Sequence, residues 1–152
     1  MAVFEVDFPD DLFSELLESD FEELAEDMLK EAAPTLEESL KKAAKSSILH
    51  DGESEAVESI KARKPKKSKK GDAYFVFAGP SGYSKTKTYH HTRTGREYKV
   101  SNALKLVWKE YGIAHPHHHQ PARPFLAKAK NDAQGKCIEK MQEIYNKKVG
   151  AE

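Results

Sequence analysis

Phe21-Glu-Glu-Leu24-Ala-Glu-Asp-Met28-Leu-Lys-Glu-Ala32-Ala-Pro-Thr-Leu36-Glu-Glu-Ser-Leu40-Lys-Lys-Ala43-Ala-Lys-Ser-Ser47 is the stretch from which the fold is read. Its apolar residues Phe21, Leu24, Met28, Ala32, Leu36, Leu40 and Ala43 recur at steps of three and four, the period of one helix face. The outward positions are Glu and Lys. Ser19 with Glu22 has the form of a capping box, which opens a helix. Pro34 lies inside the pattern and removes one backbone hydrogen bond, while Thr35 and Glu38 form a second box. The stretch therefore reads as one long kinked helix, or two nearly collinear ones, over about 20–48.

Upstream, residues 1–18 hold Phe4, Val6 and Phe8, then Pro9 before Asp10, Asp11 and Leu12. Proline near a helix start with acids in the first turn reads as a short helix or arm. This beginning is acidic where a signal peptide is basic, which argues against secretion by that route. Downstream, His50-Asp51-Gly52 breaks the helix, and Glu53 to Ile60 has room for another short one. Lys61 to Lys70 then carries seven positive charges in ten residues. Such a run repels itself, so 61–71 is expected as a flexible loop, with Lys64, Lys66, Lys67, Lys69 and Lys70 free to meet phosphate.

Asp72-Ala-Tyr-Phe-Val-Phe-Ala78 is the clearest strand, aromatic and β-branched between Gly71 and Gly79. Tyr83 to His91 alternates Lys and Thr and reads as a second, more polar strand. Thr94-Gly95 turns the chain into a third at Arg96 to Val100. Ser101 caps a helix through Tyr111 on which Ala103, Leu104, Val107, Trp108 and Tyr111 share a face. Leu104, Leu106 and Trp108 also alternate, which leaves a strand near 105–111 open. After an irregular loop over 113–122, Pro124 stands where the last helix should begin. Leu126, Ala129, Ala133, Cys137, Met141 and Ile144 form its stripe, with Gly135 inside at a cost of about 1 kcal/mol against alanine.

The expected fold class is α+β: N-terminal helices and a long C-terminal helix packed on a small antiparallel sheet, one domain over 19–149. Its 152 residues suit a single core. No apolar run approaches the roughly 20 residues of a membrane helix, so no membrane partner is expected. One cysteine, Cys137, allows no internal disulfide. It falls on an apolar stripe and reads as packing.

The formal net charge is zero, yet residues 1–60 hold 18 acids and 4 bases, and residues 61–152 hold 7 acids and 21 bases. Opposite halves either fold on each other or join copies head to tail. Reaction chemistry finds little support. Ser81 in Gly79-Pro80-Ser81-Gly82 has the form of neither a nucleophile elbow nor a phosphate loop. The run His115-Pro-His-His-His119, with His50, His90 and His91, lacks the spaced ligands of a zinc site. The expectation is no catalytic residue, no metal, no cofactor and no enzyme.

The pattern with specific physics is Glu110-Tyr111-Gly112 followed by Pro121-Ala-Arg123-Pro124-Phe125-Leu126. Pro124 fixes its own φ and drives Arg123 into an extended conformation. Arg123 is thereby held clear of the helix, where its guanidinium can take a carboxylate in bidentate fashion. Phe125 becomes the first apolar anchor.

With this signature the chain resembles the small head–tail joining (neck or tail-completion) proteins of long-tailed bacteriophages. Asp51-Gly52 and Ser59-Ile60 match a Gly…Ser-Ile segment of that family, and the resemblance spans about residues 20–148. It implies a structural virion protein that forms a ring, commonly six-fold. The ring would lie between the head connector or head-closure protein and the tail tube or tail-terminator protein, with DNA passing through. It implies residence in the host cytoplasm before assembly and at the head–tail junction after. Tyr111, Gly112, Arg123, Pro124 and Phe125 are the expected partner interface, and the lysines of 61–70 the expected DNA-facing group. The alternative reading is a nucleic-acid-binding protein acting through that lysine-rich stretch, helped by Arg93 and Arg96.

Overall fold

The computed structural model describes residues 21–47, 54–70, 73–114 and 119–149. The readings of 1–18 and of Asp51-Gly52 lie outside these residues. Among the described residues ten elements follow one another: α1 (Phe21–Ser46), α2 (Ser54–Glu58), β1 (Lys61–Ala62), β2 (Lys66–Lys67), β3 (Tyr74–Phe75), β4 (Ala78–Gly79), β5 (Tyr83–His91), β6 (Arg96–Ser101), α3 (Asn102–Tyr111) and α4 (Leu126–Val149). The class is α+β, as the sequence indicates. No helix among the described residues is long and apolar enough to cross a membrane.

The two long helices form the frame. α1 is continuous through Pro34, whose side of the helix is exposed. Proline costs a helix interior about 3 kcal/mol, and burial of the stripe Leu24, Met28, Ala32, Leu36, Leu40 and Ala43 offsets it. That stripe lies against Ala129, Ala133, Cys137 and Met141 of α4. Asp27 near the start of α1 meets Lys148 near the end of α4, so the helices run antiparallel. Cys137 donates toward the Ala32 carbonyl at 3.7 Å, and burial pushes its thiol pKa up, so it packs and stays protonated. Gly135 faces open space on α4. Gly135→Ala should therefore stabilise the chain by about 1 kcal/mol, read as a higher denaturation midpoint.

The β structure differs from the single sheet expected: it is three separate two-stranded antiparallel ladders. β1 pairs with β4 (Lys61 with Gly79) and β2 with β3 (Lys66 with Phe75), so the chain from 61 to 79 is one hairpin. Arg63 N–H donates to the Phe77 carbonyl at 2.7 Å. Beyond that bond Lys64 and Pro65 oppose the single residue Val76, which is a β-bulge. A proline that lacks an N–H is tolerated there. The bulge is why the strand read over 72–78 is broken at Val76 and Phe77. The lysine-rich stretch, expected as a loop, is thus partly strand. Its charge is tolerated because the hairpin lies along acidic α1: Lys67 pairs with Glu22, and the Ala62 N–H donates to Glu37 at 2.7 Å.

β5 and β6 form a second hairpin, from Tyr89 opposite Tyr98 to His91 opposite Arg96, turning at Gly95. Between Tyr83 and Thr88 the register shifts, and residues 84–87 bulge out. The buried Ser84 hydroxyl accepts the N–H groups of Thr86 and Lys87 at 3.3 and 3.0 Å. From Lys85 to Lys99 every residue is exposed.

α3 corrects the sequence reading most sharply. Ser101 caps it as expected, its hydroxyl accepting the Leu104 N–H at 3.1 Å, and the strand alternative does not form. The buried face, however, is Asn102, Lys105, Leu106 and Lys109. The face of Ala103, Leu104, Val107, Trp108 and Tyr111 points outward, with Val107 47% and Tyr111 73% exposed. Glu55 of α2 makes this orientation possible. It pairs with the buried Lys105 ammonium at 3.3 Å and accepts the Lys85 N–H on both carboxylate oxygens.

Acid should weaken this framework. Lys67 holds the Glu22 carboxyl below its ordinary pKa, Lys148 does so for Asp27, and the Lys41 ammonium with the Ala62 N–H does so for Glu37. Once unfolded, these groups take up protons near pH 4. Between the folded and unfolded values the unfolded chain binds more protons, so stability is present above that range and lost as pH falls through it. The melting temperature should be flat from pH 7 to about pH 5 and decline below, as followed by circular dichroism.

Candidate functional site

The connection from α3 to α4 is built from backbone. Gly112 ends α3 with φ 76° and ψ −179°, its N–H on the Trp108 carbonyl at 2.9 Å. Ile113 and Gln120 exchange two hydrogen bonds, 2.8 and 2.9 Å, which closes the base of the histidine-bearing loop. The returning chain then crosses over Gly112. A Cβ there would stand 2.6 Å from the Gln120 carbonyl oxygen and 2.8 Å from the Ala122 nitrogen. Gly112→Ala should cost about 1–3 kcal/mol from the backbone conformation alone, before the clash is relieved. Chemical denaturation measures it.

Arg123 is fixed at its backbone, whose N–H donates to the Lys109 carbonyl at 2.7 Å. Its side chain is half-buried, and the guanidinium forms no hydrogen bond or ion pair among the described residues. Pro124 follows, exposed, and α4 begins at Leu126. Phe125 holds the cap position, since its carbonyl accepts the Ala129 N–H at 2.9 Å, yet phenylalanine has no group with which to cap. Glu110 of α3 supplies one: a single carboxylate oxygen accepts the Phe125 and Leu126 N–H groups at 2.8 and 3.1 Å. A carboxylate at a helix N-terminus satisfies orphan donors and opposes the positive end of the dipole. The Phe125 ring is buried, 3% exposed, among Leu40, Ala44, Val57, Ile60 and Leu106.

Of the five residues read as an interface, the structure thus divides the roles. Phe125 and Gly112 are spent on the fold. Tyr111, Arg123 and Pro124 are presented at the surface, and the outward face of α3 adjoins them. The exposed Val107 and Tyr111 with the half-buried Trp108 and Arg123 have the composition of protein-interface hot spots, which favour Trp, Tyr and Arg. The sequence reading put these α3 residues on one face without deciding which way that face turns. The signal it lacked was Glu55, which neutralises a lysine fifty positions away on the opposite face.

The lysine set sits on a different element. Lys64, Lys66, Lys69 and Lys70 are exposed on the first hairpin, whereas Lys67 is bound to Glu22 and lies 5.5 Å from the Tyr74 ring centre. An open groove of about 1000 Å³ runs between α1 and this hairpin, and Lys64 contributes to its rim. His90 and His91 stand on β5; His50, His115, His117 and His118 lie outside the described residues. Among the described residues no three His, Cys, Asp or Glu side chains gather as a ligand set.

Comparison with protein-family models, with curated proteins and with solved structures gives no match for this chain.

Proposed function

We propose that this chain is a non-enzymatic assembly subunit of a phage head–tail junction, a neck or tail-completion protein that works as a ring. The observations that carry the reading are the exposed Val107 and Tyr111 on the outward face of α3, and Arg123, tied by its backbone N–H to the end of the same helix, with a guanidinium that has no partner among the described residues. A lone helix with that face in water exposes apolar surface for no internal gain, and docking against another subunit recovers it. Arg123 supplies specificity, because a rigidly presented guanidinium selects a carboxylate in one geometry. A closed ring repeats one heterologous contact.

The reading is tested by locating the chain in particles. An epitope tag on the C-terminus, labelled in purified virions, should mark the head–tail junction. Label found elsewhere, or absent from particles, would reject the proposal.

A further inference from the structure

The β5–β6 hairpin is a projecting arm that the assembly reading leaves without a task. Its base is rigid: the Ser84 hydroxyl holds the bulge, and the Glu55 carboxylate holds the Lys85 N–H. Beyond that base residues 85–99 are exposed throughout, with no packing on them from the other described residues. Its composition is Lys-Thr-Lys-Thr-Tyr-His-His-Thr-Arg-Thr-Gly-Arg-Glu-Tyr-Lys. Five cations stand against Glu97, none of the five side chains is paired among the described residues, and four threonines add hydroxyls.

Two features decide what such an arm fits. The first is the absence of any aliphatic residue from 85 to 99. A protein interface has an apolar core and is depleted in lysine there, so the arm is poorly suited to a second subunit. Arg, Lys, Thr and Tyr are instead the groups that contact phosphate. The second is register. Tyr89, His91, Arg96 and Tyr98 share one face, and Glu97 lies on the other with Thr88, His90 and Lys99. On the acid-free face Tyr89 stacks on Tyr98 at 5.6 Å, with His91 edge-on at 6.2 Å, which stiffens an otherwise unsupported ribbon. A two-stranded ribbon is the width that the B-DNA major groove, about 12 Å, admits. The deep, narrow groove of A-form RNA does not admit one.

We infer that the β5–β6 arm is a sequence-independent DNA-binding element that lays its Tyr89–His91–Arg96–Tyr98 face against duplex DNA, with Arg93 at its tip on phosphate. The inference stands apart from the assembly proposal. DNA binding is read on the isolated chain and joining on particles, so either can fail alone.

The experiment is anisotropy titration of a fluorescent 20-base-pair duplex with the full-length chain over a series of NaCl concentrations. Binding should weaken with salt, with a log–log slope of about −2 for the two cations that this face and its tip present, Arg96 and Arg93. Arg93→Gln, which alters a turn residue outside the ladder, should reduce the slope by about 1, and R93Q/R96Q together should remove nearly all of it. At low salt the double variant should bind at least tenfold more weakly, with its circular dichroism unchanged. The matching control, K64Q/K66Q/K69Q/K70Q on the first hairpin, should keep the arm's slope. Three results would each overturn the inference: no binding by the parent chain at 25 mM NaCl, the parent slope retained in R93Q and the double variant, or the slope lost in the control instead. Self-association that the arm variants abolish, without DNA binding, would show that the arm serves a second copy of the chain.

Discussion

Arg123→Ala is expected to leave the folded chain unchanged and to abolish the joining of heads to tails. Among the described residues the guanidinium has no hydrogen bond or ion pair: what Arg123 gives them is a backbone N–H on the Lys109 carbonyl, which alanine keeps. Exposed or half-exposed substitutions away from packed features change stability by about 0.5 kcal/mol or less, so the melting temperature should hold within a few degrees. Assembly differs, because an arginine at the centre of a protein contact typically carries about 2–4 kcal/mol, some 30- to 1000-fold in affinity. In a ring that loss recurs at every subunit contact, and the assembly fails cooperatively. The measurement is the yield of joined particles from cells in which only the variant is supplied, with free heads and free tails counted by electron microscopy. Arg123→Lys should rescue poorly, since lysine keeps the charge but not the planar fork. Normal joining by the alanine variant would remove Arg123 from the interface.

Phe125→Ala is the counterpart, a change expected to act on the fold alone. The ring is buried between the C-terminal half of α1, α2, α3 and the start of α4, so four elements meet on it. Truncation of a buried phenylalanine costs about 3–5 kcal/mol through lost burial and the cavity left behind. Against a typical total of 5–15 kcal/mol, much of the chain's stability is at stake. The denaturation midpoint should drop accordingly, and α4 should fray first, because Glu110 caps it only while Phe125 N–H and Leu126 N–H stay in place. Phe125→Leu should recover much of the loss. A midpoint unmoved by Phe125→Ala would mean the ring is not the anchor its burial indicates.

The resemblance pointed to one short run, Arg123-Pro124-Phe125, and the structure separates it into two functions two positions apart. The chain turns into α4 at Phe125, whose carbonyl already accepts the Ala129 N–H, so its ring swings inward to the core. Arg123 stays on the segment before the proline, half-buried and outside the helix. The lysine-rich run was legible as charge but not as structure. Its bulge depends on Pro65 meeting Val76 across the hairpin, and a cross-strand register is not written in either strand alone. The arm from 85 to 99 reads from sequence as a polar strand and a turn whose Arg93 and Arg96 can aid nucleic-acid binding. Its lack of aliphatic residues is in plain view, and among the described residues it stays exposed throughout.

From sequence alone came the two long amphipathic helices, the turn at Thr94-Gly95, the Ser101 cap and the class α+β. Those features are local: periodicity, caps and glycine turns depend on neighbours within a few residues. Tertiary structure alone decided which side of α3 meets the core. A helix with apolar residues on one face and lysines with long aliphatic stems on the other can bury either. Burying the lysine side requires an acid to meet the ammonium, and Glu55 reaches Lys105 across fifty residues. That partnership turned Val107 and Tyr111 out toward solvent, and decided which of two faces the sequence left open became surface.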